Sequence, residues 1–122
     1  MKIEAGVSQA QGPRPSMEDA HCLIPGFGGK ANALFAGVFD GHGGAEASAL
    51  AAQDVPRRFL SLLAGLAGVS PIEHAFVSAY FQTAREIKKA THSGTTAATV
   101  YVEGERLHYA HVGDSRIVLA TR

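Results

Sequence analysis

Residues 35–39 (Phe-Ala-Gly-Val-Phe) are apolar on both alternating faces and stop abruptly at Asp40. That is the pattern of a strand buried on both sides, meeting solvent at a carboxylate. It is the central strand, residues 34–39, of the organisation that the rest of the chain suggests. Upstream, Ile3, Ala5 and Val7 alternate with Lys2, Glu4 and Gly6, predicting a half-exposed first strand. A second covers residues 20–24 and ends at Pro25-Gly26. Downstream the period changes. Alanine-rich residues 45–53 favour helix, and Asp54 is placed to cap a second helical segment with Pro56 in its first turn and Phe59, Leu62, Leu63 and Leu66 on one face.

Ser70-Pro71-Ile72-Glu73 has capping-box spacing with proline where the first turn tolerates it. Ile72, Phe76, Tyr80 and Ile87 follow at near-helical spacing, and Lys88 and Lys89 suit the carboxyl end of the dipole. Beyond Ser93-Gly94 the period falls to two, predicting strands over 96–102, 107–112 and 116–121. Gly104-Glu105 and Gly113-Asp114 supply glycine-first turns between them. Three strands, two helices and three more strands define an α+β fold, with helices packed on antiparallel sheets.

Composition narrows the reading. A chain of 122 residues is one domain, 1–122, large enough to bury about two thirds of its unfolded surface. Eleven basic and eleven acidic residues, with no basic stripe, argue against a nucleic-acid partner. The single Cys22 cannot form an internal disulfide, and its apolar neighbours mark it as a packing residue. The start of the chain lacks an apolar signal core, and no apolar run approaches the roughly 20 residues of a membrane span. No membrane association and a cytoplasmic location are therefore expected.

The chemistry gathers where the central strand ends. Gly41, Gly43 and Gly44 free the backbone to turn, and His42 sits between them as a candidate proton carrier. A dinucleotide fingerprint would need a small residue where Glu46 stands, and no Gly-Lys-Ser/Thr makes a P-loop. Residues 26–31 fit the loosened dinucleotide pattern but precede a strand, so they read as an inter-strand loop. Glu18, Asp19, Asp40 and Asp114 all fall in turns or beside the proline-bounded loop at Arg14. Clustered carboxylates with a glycine carbonyl nearby are hard oxygen ligands suited to magnesium or manganese; no Cys-His spacing suggests zinc.

Four segments carry a family resemblance: Arg14-Pro15-Ser16-Met17-Glu18-Asp19-Ala20, Val38-Phe39-Asp40-Gly41-His42-Gly43-Gly44, Ser93-Gly94-Thr95-Thr96-Ala97 and Val112-Gly113-Asp114-Ser115-Arg116. In this order they resemble the first four blocks of the PP2C (PPM) metal-dependent protein serine/threonine phosphatases, from about Gly6 to Leu119. The resemblance implies two antiparallel sheets face to face with helices outside, and a phosphoprotein substrate. It implies that Asp40 bridges two Mg2+ or Mn2+ ions, that Gly41 offers its carbonyl, and that Glu18 binds mainly through water. By the same resemblance Asp19 orients the waters of the centre, Arg14 holds the substrate phosphate, His42 is the general acid, Thr96 lines the site and Asp114 serves a weaker third ion. The family domain has a second half with further aspartates, whereas no carboxylate side chain follows Asp114. The expectation is an amino-terminal half, truncated at its carboxyl end, that hydrolyses phosphoserine or phosphothreonine very slowly alone and self-associates or takes a partner over the missing half. The alternative is a non-catalytic module that binds a cation or phosphoprotein, or docks on a partner.

Overall fold

The computed structural model of the chain describes residues 2–65 and 71–121. Leu66 and the expected helix cap Ser70 lie outside the described residues. Strands β1 (Ala20–Pro25) and β2 (Ala33–Phe39) form a hairpin whose connection holds a 3-10 turn, Phe27–Gly29. The two-residue β3 (Gly41–His42) follows, then helices α1 (Glu46–Gly65) and α2 (Pro71–Ala90). Two-residue β4 (Gly94–Thr95), β5 (Ala97–Glu103) and β6 (Arg106–Val112) complete the order. One antiparallel sheet runs β1-β2-β5-β6, and β3 pairs with β4.

The expected helices and central strands are present. Gly104, at φ 61°, leads the two-residue turn that sets Glu103 opposite Arg106. The inter-strand loop is anchored: Phe27 is buried, with its ring 5.1 Å from Phe35 and 6.1 Å from Phe59. Phe59, Phe76, Phe35 and Tyr101 fill the space between helices and sheet, with Phe59 and Phe76 centroids 4.4 Å apart. Tyr80 ties α2 to the sheet: its hydroxyl lies 2.6 Å from Thr99 Oγ1 and donates to the Ala110 carbonyl at 2.8 Å.

Four expectations are corrected. First, α1 is one continuous helix of 20 residues with Pro56 inside it, not two segments. Ala47, Ala51, Val55 and Phe59 form one buried stripe, and that packing outweighs the lost hydrogen bond at the proline. Asp54 does not cap; it pairs with Arg57 at 3.3 Å and Arg58 at 4.0 Å. Second, residues 3–7 form no strand, and third, neither do 116–121, so Gly113-Asp114 joins no strand pair. Both segments cross the face of the sheet instead: Val7 and Ile117 line a groove of about 210 Å³ with Leu23, Ala36, Val38 and Val100. Period-two alternation reports a half-covered surface, and lying over an apolar face satisfies it without a ladder partner. Fourth, β2 is not buried on both sides. Helices cover the face of Phe35 and Phe39, while Val38 on the other face is 51% exposed.

Candidate active site

The site lies where β2 ends. Asp40 is locked by its backbone: its N–H donates to Thr96 Oγ1 at 3.2 Å, and its carbonyl accepts from the Thr96 N–H at 2.9 Å. Thr96 Oγ1 is also 2.5 Å from Ser115 Oγ, which holds the Asp114 turn beside Asp40. Bonds spanning 56 residues thus fix the Asp40 backbone between the central strand and the return from α2.

The β3–β4 pair sets Gly41 opposite Thr95 and His42 opposite Gly94. His42 is exposed, and its imidazole lies so close over Gly94 that a side chain there would overlap Nε2. Gly41 is buried for the same kind of reason: a side chain on it would collide with the Glu18 carbonyl and approach Ser48 Oγ. Ser93 Oγ accepts the Ala47 N–H at 3.0 Å in the first turn of α1, satisfying one of the free donors of that helix end.

The arm before β1 brings three more of the sequence-derived residues. Asp19 approaches Asp40 closely enough for a hydrogen bond between the carboxyls. That contact, followed by partial burial and the negative charges of Asp19 and Asp114, raises the Asp40 pKa above the usual carboxylate value, while Arg14 acts in the opposite sense. Glu18 is engaged by Arg14, Nη2 to Oε2 at 3.3 Å, and by Ser16 at 3.4 Å. Arg14 remains half exposed. Among the described residues, no three His, Cys, Asp or Glu side chains converge as a ready-made cation cage. The donor set nevertheless fits a hard cation: Asp40, Asp19 and the Gly41 carbonyl are all oxygen ligands, and the like charges of Asp19, Asp40 and Asp114 are what a divalent ion would relieve.

Arg14, Glu18, Asp19, Asp40, Gly41, His42, Thr96 and Asp114 therefore share one end of the sheet. The residues unreadable beforehand are the supports. Ser48 is 1% exposed, and its only signal is a hydroxyl in an alanine-lined stretch of α1. Cys22 behaves as a packing residue: burial pushes its thiol up to about 11, despite a backbone hydrogen bond at Gly37 acting in the opposite sense.

The frame is thus an antiparallel sheet with helices on one face, ending in carboxylates, a glycine turn and a histidine. A family profile, Protein phosphatase 2C, matches residues 3–122. The chain is 40% identical over 124 residues to Probable protein phosphatase 2C 59 of Arabidopsis thaliana, covering 97% of this chain and 39% of that protein. It is 40% identical over 126 residues to Probable protein phosphatase 2C 69 of Arabidopsis thaliana, covering 98% and 34%. Against Probable protein phosphatase 1N of Homo sapiens the identity is 39% over 134 residues, covering 97% and 29%. The chain belongs to the protein phosphatase 2C family, and spans well under half the length of these relatives. Among the described residues, no helix is long and apolar enough to cross a membrane.

Proposed function

We propose that the chain supplies the phosphate-binding and proton-donating side of a site that hydrolyses phosphoserine or phosphothreonine in proteins. The observation that carries this reading is the convergence of Arg14, Asp19, Asp40 and His42 at one sheet end. Hydrolysis forms a bond from a water oxygen to phosphorus and breaks the bond from phosphorus to the serine or threonine oxygen. That oxygen leaves needing a proton, and His42, exposed over Gly94, would give it. Arg14 offers a planar fork of donors to the phosphate oxygens, exchanging its Glu18 partner for them. Asp40, Asp19 and the Gly41 carbonyl would hold magnesium or manganese, with Glu18 entering through water once Arg14 turns to substrate and Asp114 serving a weaker outlying ion. When bound, the metal supplies positive charge against the phosphate and makes nearby water more acidic. A cytoplasmic setting, expected from the sequence, remains part of this proposal.

Grafting the remainder of the domain from Probable protein phosphatase 2C 59 onto residue 122 tests the reading. Manganese-dependent phosphate release from a phosphothreonine peptide, lost with Asp40→Asn, is expected, with the ungrafted chain very slow. A folded graft that binds manganese and releases nothing would favour the non-catalytic module instead.

A further inference from the structure

We propose that Ser48 is a positioning residue that holds the arm of residues 14–19 in register with Asp40 and Gly41; the inference rests on the metal-site reading above and adds a residue to it. Ser48 Oγ donates to the Glu18 carbonyl and lies 3.1 Å from the Ala45 carbonyl, with Glu18 the nearer partner. Residues 2–19 belong to no strand or helix. Their other hydrogen bonds stay inside the arm: Gln9 to the Asp19 carbonyl, Gln11 to the Arg14 carbonyl, and Arg14 and Ser16 to Glu18. Apart from the Asp19–Asp40 contact, the Ser48–Glu18 bond is the only hydrogen bond among the described residues from this arm to the rest of the chain short of the β1 ladder.

Residues 3–7 lie over the sheet face, but at the 14–19 end a pair of like-charged carboxyls is a weak fastening, and the neutral hydroxyl adds the hold there. Position 41 shows how close the three parts come. The Glu18 carbonyl and Ser48 Oγ together occupy the space a side chain on Gly41 would need, so arm, strand end and helix meet at one point. Removing the hydroxyl leaves the Glu18 carbonyl without its partner and frees the arm to shift. Asp19 would then no longer face the position that Asp40 and the Gly41 carbonyl define.

The test is manganese affinity by calorimetry on the full chain, with hydrogen exchange of the arm as a second readout. Ser48→Ala should bind manganese roughly tenfold more weakly, the range for residues that orient ligands, and amides of residues 14–20 should exchange faster while those of α2 do not. Asp19→Asn should weaken the parent chain but add no further loss on Ser48→Ala. Ser48→Cys, similar in size with a weak donor, keeps the packing should alanine unfold the chain, and should lose affinity likewise. Ile87→Ala, a remote core change, should leave affinity intact. Parental affinity in the Ser48 variants, or full multiplication of the Ser48→Ala and Asp19→Asn losses, overturns the inference while the metal site stands. A parent chain that binds no manganese overturns the metal-site reading, and Ser48's role with it.

Discussion

His42 and Gly94 face each other across the two-residue β3–β4 pair, and the imidazole fills the space a side chain at position 94 would take. Gly94→Ala must therefore move the ring. Because His42 is exposed, the ring has somewhere to go, and the stability cost should stay within about 1 kcal/mol. Proton NMR of the His42 ring should show a displaced resonance, and in the grafted enzyme kcat should fall as far as in His42→Ala. An unmoved resonance would refute the contact.

Gly41 meets backbone rather than a flexible side chain. Gly41→Ala should cost about 3 kcal/mol in denaturant unfolding, because the Glu18 carbonyl cannot swing aside cheaply. Gly6→Ala, with open space around it, is the matched control and should be near neutral. Equal losses in the two variants would remove the packing argument.

Asp40 gives a pH prediction with an unusual sign. Its folded pKa is raised, chiefly by the Asp19 contact, so its ionised form opposes folding above that pKa. The penalty is full at neutral pH and is relieved as pH falls through the raised value. Without added metal, Asp40→Asn should therefore melt higher than the parent at pH 7, with the gap closing as pH is lowered through the carboxylate range. Manganese should invert the order at pH 7 by stabilising only the parent. Melting curves that ignore both pH and manganese would sink the site assignment.

With its thiol pushed up to about 11, Cys22 should alkylate slowly with iodoacetamide at pH 8 in the folded chain and rapidly in denaturant. Cys22→Ser should keep manganese affinity. Loss of binding in that variant would make the cysteine part of the site.

The sheet face away from the helices is only partly covered by residues 3–7 and 116–121, leaving Val38, Leu107 and Tyr109 51%, 45% and 61% exposed, and a second copy of the chain is expected to cover them. Sedimentation should show concentration-dependent association that Val38→Lys weakens. A monomer at all concentrations for both chains would reject this.

How much was legible beforehand follows from the range of each signal. The α2 face, the Gly104 turn and the Asp40 turn are local patterns, and each is present. Pro56 misled because a local breaker was weighed without the Phe59 cluster that overrides it. Residues 3–7 and 116–121 misled because alternation does not distinguish pairing beside a sheet from lying across it. The site residues were readable as types in ordered blocks, but Ser48 and the His42–Gly94 contact arise only when segments distant in sequence meet.

The central ladder pairs β2 with β5, and the whole α1–α2 excursion lies between them. Closing so long a loop costs entropy before any contact returns it, so this pairing is expected to follow the local β1–β2 hairpin. Asp40 directly follows the first of those strands, and Thr96, which clamps it, immediately precedes the second. Zipping the ladder and clamping Asp40 are therefore coupled: a nascent chain that has made β1, β2 and α1 but not β5 carries the carboxylate without its clamp.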